Sequence, residues 1–161
     1  MKIDLHLMLV VVILLMPPPT LAQPPVPVGG EFQVNSFTTF NQLFPAVAVE
    51  AGGNFVVVWQ SEAQDGSDTS IHGQRYASDG SRLGGEFQVN SYTTSRQSLP
   101  AVAVEAGGDF VVVWESNLQD GSVYSVQGQR YASDGSRLGG EFQVNSYTTS
   151  AQARPAVAVE A

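Results

Sequence analysis

The chain has 161 residues, 15 of them Asp or Glu and only 7 Lys or Arg, for a formal charge of -8 at neutral pH. That balance excludes a basic surface built to neutralise phosphates, so nucleic acid is not an expected partner, and it weighs equally against docking on anionic lipid. No cysteine is present, which removes disulfide staples, thiolate nucleophiles and cysteine-ligated metal centres.

The first element in chain order is an address. Residues 7–16 (LMLVVVILLM) form an unbroken apolar run, preceded by Lys2 and followed by Pro17, Pro18 and Pro19. The run has about half the ~20 residues that a membrane-spanning helix needs, and it fits the core of a secretory signal. With Thr20, Leu21 and Ala22 ahead of the cut, residues 1–22 are the predicted signal peptide, cleaved before Gln23. The expected location is secreted, periplasmic or at the cell surface, with no membrane attachment after cleavage. Residues 23–28 (QPPVPV) read as a stiff extended linker.

The remainder is one unit repeated. GGEFQVN begins at Gly29, Gly84 and Gly139, and PAVAVE at Pro45, Pro100 and Pro155, each time 55 residues apart. The domain organisation is therefore repeat 1 at residues 29–83, repeat 2 at 84–138 and a partial repeat 3 at 139–161. The two full units match at 42 of 55 positions, so the period overrides any reading of the length as a single domain. Within a unit, residues 31–36 (EFQVNS) alternate as a first strand. Residues 45–50 form a second strand that opens with proline, and Ala51, Gly52, Gly53 and Asn54 turn the chain into a third, residues 55–60 (FVVVWQ). Phe55, Val57 and Trp59 share one face and Val56 and Val58 the other, which predicts cover on both sides. Residues 71–77 (IHGQRYA) are a fourth strand, and Ser78, Asp79, Gly80 and Ser81 turn towards the next EFQVN.

No helical period occurs after the signal. The predicted fold class is all-β, with tandem four-stranded antiparallel repeats that are propeller-blade-like and incomplete. A β-solenoid coil would be shorter, and an immunoglobulin-type sandwich needs about seven strands in ~100 residues.

Few residues carry chemistry. His72 is the only histidine after the signal, and Gln127 takes its place in the second unit, so His72 reads as a surface strand residue. No catalytic residue is expected. Asp65, Asp68 and Asp120, in the QDGS turns, are the candidate calcium ligands, because calcium takes converging carboxylate and carbonyl oxygens. Val123 replaces Asp68 in the second unit, and turn chemistry alone explains Asp-Gly-Ser, including Asp79 and Asp134. No other cofactor is expected. Trp59, Trp114, Tyr76 and Tyr131 could stack on a sugar, but their strands point to core packing. Glu50, Glu105 and Asp109 are not spaced as a glycosidase pair. The 13 differences between the full units fall mainly at residues 37–44 and 60–72, where loops on a scaffold usually carry binding.

The pattern GGEFQVN, PAVAVEAGG, Asn or Asp, FVVVW, QDGS, GQRY and SDGS, from Gly29 to Ala161, resembles a repeat of large secreted bacterial proteins. Those proteins carry hemolysin-type calcium-binding or cadherin-like modules elsewhere. The resemblance implies export and β architecture rather than an activity. It also implies a longer series, so the chain reads as a fragment of a longer repeat chain. The expected partners are further repeats of the same kind or other copies by self-association, with an unidentified surface or glycan ligand. The expected function is a structural or cell-surface interaction role. The alternatives are a calcium-stabilised extracellular binding module and a non-catalytic part of a glycan-active propeller enzyme.

Overall fold

The computed structural model describes residues 29–160, so the predicted signal and linker lie outside the described residues. The chain divides after Phe32. Residues 29–32 carry no strand, and the body from Gln33 onward is built of β-strands with no helix among the described residues.

Two four-stranded antiparallel sheets follow one another. The first holds β1 (Gln42–Val49), β2 (Phe55–Glu62), β3 (Thr69–Tyr76) and β4 (Arg82–Gln88). The second holds β5 (Gln97–Val104), β6 (Phe110–Asn117), β7 (Tyr124–Tyr131) and β8 (Phe142–Gln143). Each sheet is an up-and-down meander, as in a propeller blade, and two blades are fewer than the ~4–8 of a closed ring.

The sheets are out of phase with the sequence units. The SDGS turn closes with Gly80 N–H donating to the Ala77 carbonyl at 2.9 Å, and Gly80 takes the positive φ of 84° that the turn needs. This hairpin lays GGEFQ of the second unit back onto β3, so the fourth strand of each sheet comes from the following unit. The expectation that residues 31–36 open the first sheet as a strand is therefore wrong. They carry no strand assignment, because no β3-like strand precedes them among the described residues. The second strand also differs from its predicted bounds. β1 begins at Gln42, and Pro45 sits inside it at a register shift between Leu43 and Ala46. A bulge removes the ladder bond that proline could not donate. The chain enters that bulge through Phe44 in the left-handed region (φ 51°), and Leu99 and Arg154 do the same at one-unit spacing (φ 52° and 57°).

The core lies between the two sheets. Val56, Val58, Ile71 and Val89 meet Phe110, Val112, Trp114 and Tyr131, with Ala46, Ala48, Phe87, Val102 and Val104 packed at the margin. Phe110 stacks on Tyr131 at 4.7 Å between ring centroids. The invariant glycine of GQRY has a steric reason. A Cβ on Gly73 would stand 2.7 Å from the Phe87 ring, and one on Gly128 would stand 2.7 Å from Phe142.

The prediction of cover on both faces of the FVVVW strand holds in β6 for Phe110, Val112, Val113 and Trp114, while Val111 is half-buried. In β2 it holds for the Val56 and Val58 face, while Phe55 and Val57 are half-buried. Equivalent substitutions should therefore have unequal effects. Val112→Ala, at a site with no exposure, should lower unfolding free energy by about 2 kcal/mol. Val57→Ala should cost less than about 1 kcal/mol. Urea denaturation of both variants measures the difference.

Candidate functional site

The most concentrated polar chemistry lies where β3 meets β4. Ser70 and His72 alternate onto one face of β3, and the Ser70 hydroxyl oxygen stands 3.0 Å from His72 Nε2. Across the strand pair, Glu86 Oε1 lies 3.8 Å from His72 Nδ1. Serine, histidine and carboxylate in line is the order of a hydrolytic triad. Two facts give the line another meaning. Ser70 has no exposure and His72 only 5 %, so no substrate reaches the hydroxyl. In the second unit, Gln127 takes the histidine's place and donates to Ser125 Oγ at 2.9 Å. The position calls for a hydrogen-bonding group, not for a base.

The reading of His72 as a surface residue is corrected here. Residues 33–41 lie over this face and hold it down. Ser36 N–H and its hydroxyl both donate to Glu86 Oε2, at 2.6 and 2.7 Å, and Gln64 donates to Glu86 Oε1 at 2.6 Å. Burial alone would push the Glu86 carboxyl up, but the bonds from Gln64 and Ser36, with His72 nearby, hold it below its ordinary value. Burial pushes His72 down, against the opposing pull of Glu86 and Asp65. This clasp recurs. Ser91 donates twice to Glu141, and Gln119 donates to the same carboxylate. Sequence reading missed it, although Ser and Glu recur 50 residues apart in both units.

The turn aspartates engage their own backbone. Asp65 Oδ1 accepts from Ser67 N–H at 3.0 Å, and Asp120 Oδ1 from Ser122 N–H at 2.9 Å. Their other oxygens face Gln88 and Gln143 at 3.4 Å. Asp68 is exposed, and its backbone carbonyl accepts from Ala63 N–H. Among the described residues no group of three or more His, Asp or Glu side chains is placed to hold a metal ion. Asp79 and Asp134 accept from Ser81 and Ser136 at 2.9 and 2.8 Å. Those hydrogen bonds hold both carboxyls below the usual range. Trp59, Trp114, Tyr76 and Tyr131 are buried, in agreement with a packing role. Burial pushes the Tyr131 hydroxyl up to about 12, so it stays protonated and donates to the Val89 carbonyl.

Openings remain at the surface. A cleft of about 350 Å³ between the sheets is walled by Val56, Leu83, Val104 and Phe110 and rimmed by Glu50 and Arg75. Both rim charges bridge the two units. Arg75 Nη1 donates to the Asp134 carbonyl, and Glu50 accepts from Asn54 while crowding the turn at Gly108. The second opening is a shallow depression of about 610 Å³ lined by Phe44, Leu99 and Arg154 with the prolines that follow them. One position that differs between the units, Phe44 in the first and Leu99 in the second, lines this depression.

No protein-family model matches the chain, and no curated protein matches it. Among solved structures the chain is similar to an endo-arabinase from Bacteroides thetaiotaomicron VPI-5482, with a TM-score of 0.45 and 22 % identity. The similarity covers 65 % of this chain and 43 % of that one, less than half of the enzyme's length.

Two outcomes test the site. The unfolded chain protonates His72 near its ordinary value of 6.5, while the folded state resists that proton. The neutral imidazole's contribution is therefore whole above about pH 6.5 and is lost as pH falls through it. His72→Gln, which copies Gln127, should flatten the loss of melting temperature between about pH 7 and about pH 5. Millimolar calcium should leave the melting temperature unchanged, since Asp65 and Asp120 each already hold a backbone donor on one oxygen and a glutamine side chain on the other.

Proposed function

We propose that the protein is an exported, non-catalytic β-repeat scaffold with a structural or surface-interaction role. One observation carries this reading: recurrent hydrogen-bonding side chains are engaged in holding the covering segments down onto the sheets. Tyr76 and Arg82 donate to the Val34 carbonyl, and Tyr131 and Arg137 donate to the Val89 carbonyl one unit later. The Ser36–Glu86 and Ser91–Glu141 clasps hold the same segments and run from one unit to the next. Thr69 adds a bond to the Gln97 carbonyl at 2.7 Å. A catalytic surface keeps its recurrent polar groups facing an accessible cavity, and here they lie under covering segments.

Export is supported by the apolar run before Gln23 and by the absence of cysteine and lysine from the mature chain. Such a chain has no thiol to oxidise outside the cell. Expression in a bacterial host with an intact secretory pathway tests the reading. The protein should leave the cytoplasm with its N-terminus at Gln23 by mass spectrometry, and it should release no reducing ends from a panel of polysaccharides. Retention in the cytoplasm with Met1 in place, or glycan cleavage by the purified chain, contradicts it.

A further inference from the structure

The joint between the two sheets is a template for a second joint. On the second sheet it buries Phe110, Val112, Trp114 and Tyr131 and partly covers Val102 and Val104. The same six side chains occur on the outward face of the first sheet as Val47, Val49, Phe55, Val57, Trp59 and Tyr76. There Val47 and Val49 are 61 % and 60 % exposed and Phe55 and Val57 half-buried, while Trp59 and Tyr76 are already covered. At the other end of the stack, Phe142 and Val144 are 41 % and 52 % exposed, whereas their counterparts Phe87 and Val89 are half-buried and fully buried. The two open faces are thus the two halves of an interface that the chain already makes once.

Beside the second sheet lies a strand sequence without a ladder. Residues 155–160 repeat PAVAVE but carry no strand assignment. They are held at the bulge by Arg154 N–H on Glu115 Oε1 at 2.5 Å and by Gln152 N–H on the Tyr124 carbonyl at 2.9 Å. In β1 the same four residues pair in fixed register, Ala46 with Val58, Val47 with Val57, Ala48 with Val56 and Val49 with Phe55. The strand β5 repeats that register on β6.

We propose that residues 155–160 of one copy add to β2 of a second copy in the register of β1, displacing that copy's own residues 42–49. The second copy's first sheet then stacks on the first copy's second sheet, as the sheets stack within one chain. The exchange replaces PAVAV at 45–49 by PAVAV at 155–159, so the four pairings from Ala46 to Val49 are reproduced. The displaced clasp is also rebuilt, because Ser146 and Val144 of the donor occupy the places of Ser36 and Val34 opposite Glu86, Tyr76 and Arg82. What is gained is burial of Phe55, Val57, Phe142 and Val144, the apolar surface that one copy leaves open. The contact is head-to-tail, so it propagates rather than closing as a symmetric pair.

This inference deepens the scaffold reading by naming its partner as a second copy of the chain. The absence of native cysteine makes cross-linking a direct test on the 161-residue protein. Chains carrying Val57→Cys and Val157→Cys are mixed and treated with a short bismaleimide. The expected product is a mixed dimer in excess of either same-variant dimer, and it is lost when Val159→Asp is added to the Val157→Cys chain. That residue lies outside both sheets, so circular dichroism should show their β signal unchanged. The unmodified chain should gain mass with concentration in sedimentation. A monomer at every concentration up to its solubility limit overturns the proposal, as does cross-linking that does not favour the mixed pair. An exported, inactive monomer would overturn the exchange and leave the scaffold reading standing.

Discussion

The fold depends on one strand pairing, that of β3 with a strand supplied by the following unit. The sharp SDGS turn directs GGEFQ back along GQRY, so no unit completes its own sheet. Every further feature of the joint follows from this offset. Once β4 is in place, the chain leaves the outer edge of one sheet and must cross to the inner edge of the next. The crossing segment, residues 89–96, drapes over the buried polar face of the following sheet, as residues 33–41 drape over the first. Strand pairing, sheet stacking and the covering segment are thus consequences of one turn.

The polar groups under these segments are a requirement of that geometry. Burying a sheet face that carries Ser70, His72 and Gln74 is unfavourable unless each group finds a partner. The covering segment meets part of that need by presenting backbone carbonyls and a serine. Glu86 collects Ser36 and Gln64, the Ile71 N–H donates to Asn90 at 2.7 Å, and Gln74 donates to the Gly84 carbonyl at 3.1 Å. This explains why His72 and Gln127 are interchangeable. Each offers a hydrogen bond to a buried serine, and neither needs to change protonation state. A line of serine, histidine and glutamate therefore arises as cover for a sheet face.

Much of this was legible in the sequence, for physical reasons. Alternation in FVVVW identifies a strand with two apolar faces, and the 55-residue period identifies the stack, because both are local patterns. The Asp-Gly-Ser turns are local as well, and Asp65, Asp79, Asp120 and Asp134 make the Asx contacts that their sequence predicts. Properties set by distant partners were not legible. EFQVNS has the same alternation at residues 31–36 and 86–91, yet only the second copy has a β3 to join. His72 looks like a solvent-facing residue of a weak strand until residues 33–41 are seen to cover it. The Pro45 bulge is invisible because its cause is the register that β2 imposes on β1.

The bulges also show how variation is accommodated. Phe44, Leu99 and Arg154 all hold a left-handed backbone before proline, a conformation that costs a non-glycine residue about 1 kcal/mol or more. Glycine would relieve that strain, and the chain uses glycine at positive φ in its turns, yet three different large side chains stand here. The conformation is therefore set by the repeated scaffold and not by the residue that adopts it: it accompanies the register shifts against β2 and β6, and it persists at Arg154, where no ladder follows. Arg154 shows the anchor, since its N–H is gripped by Glu115, the acidic counterpart of Gln60. With the backbone fixed in this way, side chains that face an open depression can change from aromatic to aliphatic to cationic without disturbing the sheets. This position is free to diverge because the packing constraint ends at that edge.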